Sequence, residues 1–272
     1  MKAALAVILI TLLSGCALTV SDPRALQPID GFQPLAADSR VWVEPGFEDY
    51  GMRVAHLLPA AIRQVEAAHY LRFARTPRVY VCGSEACFKR WVRTPRLSAA
   101  VVPDNRLILS PNLDGRERAR LPALLVHELA HLHLGHRIGH YHNNVPLWFH
   151  EGWASLTAGG GGAEFASEAR AHEAIRSGRR IDLDARDLPG QRHRAVAFNL
   201  TIFEFYRQAM LLVGWLKSQD ESRFREFVLA IQDNTDFDIA FWTVYGSAPA
   251  TVLARYYEQV MGDNPALPAA SR

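Results

Sequence analysis

Residues 121–134 read LPALLVHELAHLHL, and how this stretch is read decides the fold. Apolar residues dominate it, and Pro122 falls where the first turn of a helix accepts proline, so it predicts a helix over 121–134. Within it lies His127-Glu128-Leu129-Ala130-His131. Positions i and i+4 share one face of a helix, so both imidazoles can reach one ion. Two neutral histidines suit borderline-soft Zn²⁺ as the cofactor. Glu128 falls about 100° around the helix from His127, beside the metal. There it is placed to act as general base on a zinc-activated water. Short helical motifs of this kind also arise by chance, so a second element is needed.

Residues 146–154 supply it. They read PLWFHEGWA, inside a second helix expected over 145–158, and they place Glu151 twenty positions after His131. The run resembles the gluzincin metallopeptidases, and within them the peptidase MA-like subset, whose corresponding stretch is Trp-x-x-Glu-Gly-x-Ala. The resemblance implies that Glu151 completes a His₂Glu zinc site with the fourth position open for water. On the residues alone, a buried helix-capping carboxylate and a surface group are the alternatives for Glu151. The likeness is strong over 121–158 and continues weakly through Tyr206-Arg207-Gln208-Ala209 to the final helices. It implies a zinc metallopeptidase that hydrolyses peptide bonds in a peptide or protein substrate. Tyr206 matches a tyrosine of the family pattern and is the catalytic candidate for donating to the oxyanion. Its neighbours Phe198, Ile202, Phe203 and Phe205 also allow a plain core aromatic. His193 is a second candidate donor.

Other histidines crowd the motif. His133 lies about 200° around the helix from His131, so the two cannot face one ion. His150 precedes Glu151, and its phase also points elsewhere. With His136, His140 and His142, these read as surface groups or as supports for the ligands. Gly135 stands one turn after His131 and is expected to end the helix. Arg137 stands where a metzincin would place its third histidine, which argues against that group.

Ahead of the motif the chain looks mixed. Strands are expected over 40–43 and 78–82, a helix over 52–70, and a hairpin from 98–102 and 106–110 across Pro103-Asp104-Asn105. Such a strand either lines a cleft and pairs with extended substrate or forms a plain edge. After the motif, helices are expected over 164–177, 195–218, 221–232, 236–245 and 249–261. The glycine run 159–162 is either a flexible flap or a loop that needs positive φ, and the loop is the preferred reading. The expected fold class is α+β: a small mixed N-terminal lobe with a β-hairpin, then a zincin-like, mainly α-helical lobe carrying HExxH.

The N-terminus reads as a targeting segment. Lys2 precedes an apolar run from Ala3 to Leu13, which is shorter than the roughly 20 residues a membrane span needs. It ends in Leu13-Ser14-Gly15-Cys16, which resembles a bacterial lipobox with Cys16 as the acylated residue. Ala17 after that cysteine implies the outer membrane, facing the periplasm. The expected organisation is a signal peptide 1–15, a proline-bearing tether 16–38, a metallopeptidase domain 39–262 and a tail 263–272. Cys82 and Cys87 are the remaining cysteines and are expected to form a disulfide in an oxidising compartment. Hydrophobic content of 49% and charged content of 21% describe a globular chain. A net charge of +2 gives no reason to expect a nucleic-acid partner. Two rivals stay open: a zinc-binding envelope lipoprotein serving as a binding or assembly factor with little turnover, and a helical scaffold in which HExxH is coincidental.

Overall fold

The computed structural model describes residues 30–92, 97–102, 106–139, 145–183 and 195–262. The signal segment, Cys16, the 103–105 turn, His140, His142, His193 and the tail 263–272 lie outside them. The first lobe is a five-stranded sheet of β1 (Gln33–Leu35), β2 (Asp38–Val43), β3 (Val79–Val81), β4 (Ala99–Val102) and β5 (Arg106–Leu109). The spatial order is β1-β2-β3-β5-β4. The β2–β3 and β3–β5 pairs are parallel and the two outer pairs antiparallel. The last pair is the expected hairpin, and it leaves β4 as an edge strand. β1 falls within the stretch read as tether, where Phe32 and Leu35 are buried.

Strand alternation divides the sheet's two faces. Val41, Val43, Val79, Val81, Leu107 and Leu109 pack against α1 (Glu48–His69) and α3 (Leu121–Ile138). Tyr80, Cys82 and Ile108 turn to the other face, where Phe88 of α2 (Glu85–Trp91) closes a smaller cluster. The sequence did not predict α2. Its Ser84 cap accepts from the Cys87 N–H, and Cys82 and Cys87 are joined in a disulfide.

The helical body consists of α4 (Leu147–Thr157), α5 (Glu168–Arg176), α6 (Ile202–Gln219), α7 (Glu221–Gln232), α8 (Phe237–Tyr245) and α9 (Pro249–Gly262). Its core is aromatic: the Phe227 ring lies 5.3 Å from Phe149, 5.4 Å from Phe237 and 5.2 Å from Phe241. Helix α4 seats directly on α6 through Gly152, where a Cβ would lie 2.4 Å from the Ala209 carbonyl oxygen. None of the described helices is long and apolar enough to cross a membrane.

Several helix boundaries differ from expectation, α1 among them, which begins at Glu48. Gly135 does not end α3; the helix runs to Ile138 and stops at Gly139, whose N–H returns to the Gly135 carbonyl. A buried glycine is tolerated there because packing outweighs its helix penalty of about 1 kcal/mol. The stretch 195–218 is not one helix. A 3-10 turn, Ala195–Phe198, ends at left-handed Asn199, and α6 starts afresh from Thr201. Thr201 and Glu204 form a reciprocal capping box there. Finally, α5 begins only after Ser167, which caps it.

Glu204 yields a stability prediction. Burial alone would raise its carboxyl, but the Thr201 N–H and the Arg170 guanidinium outweigh it and hold the group at about 2. Because this value lies below that of the unfolded chain, the contribution is complete above pH 4.5 and is lost as pH falls toward 2. Urea denaturation across that range should show the decline. Glu204→Gln should remove this part of it and cost about 2 kcal/mol at neutral pH.

Candidate metal centre

Helix α3 is buried along most of its length and packs against α1, α4 and β4. Enclosure on all sides forces its polar side chains to find partners within the protein. His127 and His131, one turn apart, bring their Nε2 atoms within 3.0 Å of each other. Glu151, from the facing turn of α4, places Oε2 at 3.3 Å from each. The three groups form a cluster of potential metal ligands. A tetrahedral zinc with bonds of roughly 2.0–2.1 Å requires donors about 3.3 Å apart, so the spacing and the N,N,O donor set both fit.

The far side of each imidazole is engaged. His127 Nδ1 lies 3.0 Å from the Gly161 carbonyl oxygen and donates to it, which turns Nε2 toward the other two groups. His131 Nδ1 lies 3.0 Å from His150 Nε2. Burial pushes the Glu151 carboxyl up, but the charge and hydrogen bonds of His131 and His127 outweigh it and hold the group well below the usual range.

Glu128 points into the same cavity, which has a volume of about 600 Å³. Burial raises its carboxyl. The Val101 backbone N–H donates to Glu128 Oε2 at 3.1 Å. The hairpin register explains this contact. The Ser110 N–H bonds the Ser98 carbonyl, so antiparallel alternation turns the peptide groups of Ala99 and Val101 away from β5, toward the cavity. Tyr206 on α6 lines the opposite wall, its ring stacked 6.1 Å from that of His127. Ile202, Phe203, Leu97 and Leu124 make the rest of the lining largely apolar.

The other histidines separate clearly. His133 is fully buried rather than at the surface, and it faces away from the cluster. Its Nε2 meets the Leu71 carbonyl at 2.9 Å and its Nδ1 meets His69 Nδ1 at 3.2 Å, while burial lowers it to about 4. His69 stacks on Trp153 at 3.9 Å. His136 is half-buried. His150 takes the supporting place that was one of the two readings for it. Its helical phase keeps it off the Glu151 position but carries it to the back of His131. The sequence also gave no sign of the Gly161 carbonyl or the Val101 N–H, because backbone groups carry no residue signature.

No family model matches the chain, and no curated protein matches its sequence. Among solved structures, the fold is similar to native yeast LTA4 hydrolase, at 15% identity and a TM-score of 0.50, over 89% of this chain and 40% of that one. The same yeast enzyme in complex with bestatin aligns at 15% identity and a TM-score of 0.48, over 85% and 39%. The chain thus spans about two-fifths of the length of these structures. At this identity the likeness is one of fold: a zincin-like α+β architecture with a small N-terminal sheet and a mostly helical body.

His150 meets His131 from behind, the arrangement that a ligating histidine generally has with its outer partner. His150→Phe, which keeps bulk but removes the acceptor, should weaken zinc binding roughly 10-fold or more in a chelator competition. His150→Gln, which retains an acceptor oxygen, should stay close to the unaltered protein.

Proposed function

We propose that this chain is a zinc-dependent peptidase, with His127, His131 and Glu151 as ligands and Glu128 as general base. The observation that carries the reading is the three-donor cluster, at tetrahedral spacing, opening on a cavity shared by Glu128 and an edge strand. When bound, zinc would supply Lewis acidity, making water acidic near neutral pH and polarising the scissile carbonyl.

The chain's own groups account for the remaining tasks. Glu128 takes a proton on its carboxylate from the attacking water and returns it to the departing amine nitrogen. The Val101 N–H holds one carboxylate oxygen, which limits the orientations the base can adopt. Tyr206 is the proposed donor to the developing oxyanion, a role worth a few kcal/mol where it operates. Its place on the cavity wall beside His127 supports the assignment. An extended peptide would add to the outward edge of β4, pairing with the Ala99 backbone and lying across the metal site.

The proposal extends to location. An acylated Cys16 would tether the domain to the outer membrane, facing the periplasm. Its support is the Leu13-Ser14-Gly15-Cys16 pattern together with the Cys82–Cys87 disulfide, which accords with an oxidising compartment.

The test is metal content followed by hydrolysis. The purified chain should hold about one zinc, and His127→Ala and Glu151→Ala should each lose most of it. Glu128→Gln should keep the zinc and lower hydrolysis of an unstructured protein substrate by at least about 10²-fold. Zinc retained at unaltered affinity in Glu151→Ala would refute the third ligand. A metal-replete protein without zinc would refute the function.

A further inference from the structure

The glycine run 159–162 has no part in the chemistry above, yet it lies against the metal cluster. Gly159, Gly160 and Gly162 have φ of 61°, 103° and 90°, values that side chains beyond glycine rarely adopt. The run follows α4 and folds back over α3. A Cβ on Gly161 would sit 2.8 Å from the Ala123 carbonyl oxygen, and one on Gly162 would sit 2.9 Å from Cε1 of His127. The loop backbone therefore approaches the imidazole more closely than any side-chain-bearing residue permits. At that approach the Gly161 carbonyl accepts from His127 Nδ1.

A carbonyl on a glycine-rich loop orients a ligand only if the loop itself is held. Two anchors hold it. From α4, the Ser155 carbonyl accepts from the Gly160 N–H at 2.8 Å. From α6, the Arg207 guanidinium spans the loop's far side, with Nε 2.7 Å from the Ala166 carbonyl and Nη2 3.0 Å from the Ala163 carbonyl. Arg207 follows Tyr206 directly. Consecutive residues of one helix thus serve the cavity wall and the loop that backs His127.

We propose that Arg207 and the glycine run form a positioning device for His127, in which the Arg207 clamp fixes the loop so that the Gly161 carbonyl sets the imidazole's orientation toward the metal. This rests on the zinc reading above. Arg207 touches neither metal nor substrate in this scheme and acts only through the loop.

The test measures zinc affinity by chelator competition and the visible spectrum of the cobalt-substituted protein, in the full chain. Arg207→Met and Gly162→Ala should each weaken zinc binding roughly 10-fold and alter the cobalt spectrum. The double variant should fall well short of the product of the two, because both act through His127. Arg207→Lys, which retains a donor, should recover part of the loss. Arg170→Met is the control: it breaks the Arg170–Glu204 pair away from the loop and should lower thermal stability without changing zinc affinity. Folded Arg207→Met and Gly162→Ala proteins with unaltered affinity and spectrum would overturn the proposal. So would an equal loss of zinc in Arg170→Met, which would reduce the effect to general destabilisation. Absence of zinc from the unaltered chain would instead overturn the underlying function.

Discussion

The constraint on which the rest of the structure depends is the burial of α3 together with its polar side chains. His127, His131 and His133 lie in the interior, and the half-buried Glu128 lines the cavity beside them. A polar group buried without a partner costs about 1–3 kcal/mol, more if charged. Several such groups on one helix would consume much of a domain's net stability of about 5–15 kcal/mol. Each is therefore met from a different element: Gly161 from the loop after α4, His150 from α4, Val101 from the edge strand, and Leu71 with His69 from the end of α1. The polar helix thus draws both lobes onto itself.

That convergence explains the layout of the cavity. The sheet needs α1 and α3 to cover its valine-rich face, and this places the free edge of β4 along α3. The hairpin register then decides which backbone groups face inward. On the other side, Gly152 leaves out a side chain that would hold α4 off α6. Because Gly152 directly follows Glu151, the close seat that brings α6 and Tyr206 to the cluster also fixes the turn carrying the third donor. A single glycine therefore joins packing to site geometry.

The two histidine groups on α3 show how one helix separates functions by phase. His127 and His131 face the cavity and α4, while His133 faces α1. There a chain of contacts through His69 suits neutral rings, consistent with the downward shifts that burial imposes. Residues of one type on one helix serve as candidate ligands on one side and as packed core groups on the other. The difference is set by what each side meets.

The sequence alone was enough to point to the α+β class, the hairpin before the motif helix, the HExxH pair and Glu151. The first three depend on periodicity or on side-chain types at fixed spacing, which a helix converts directly into shared faces, whereas Glu151 was reached through the resemblance to the gluzincins. It misread Gly135 as a stop, because a local helix penalty is visible in sequence while the packing that overrides it is not. It joined 195–218 into one helix, since the Thr201–Glu204 box is a weak pattern inside an apolar run. Apart from His150, read as a possible support, the partners of the candidate ligands were legible only in three dimensions. A backbone carbonyl at Gly161, a backbone N–H at Val101 and a histidine reaching across from α4 become neighbours of α3 only after the chain has closed. Side-chain chemistry is written locally in the sequence, whereas the satisfaction of buried polar groups is a property of the packed whole.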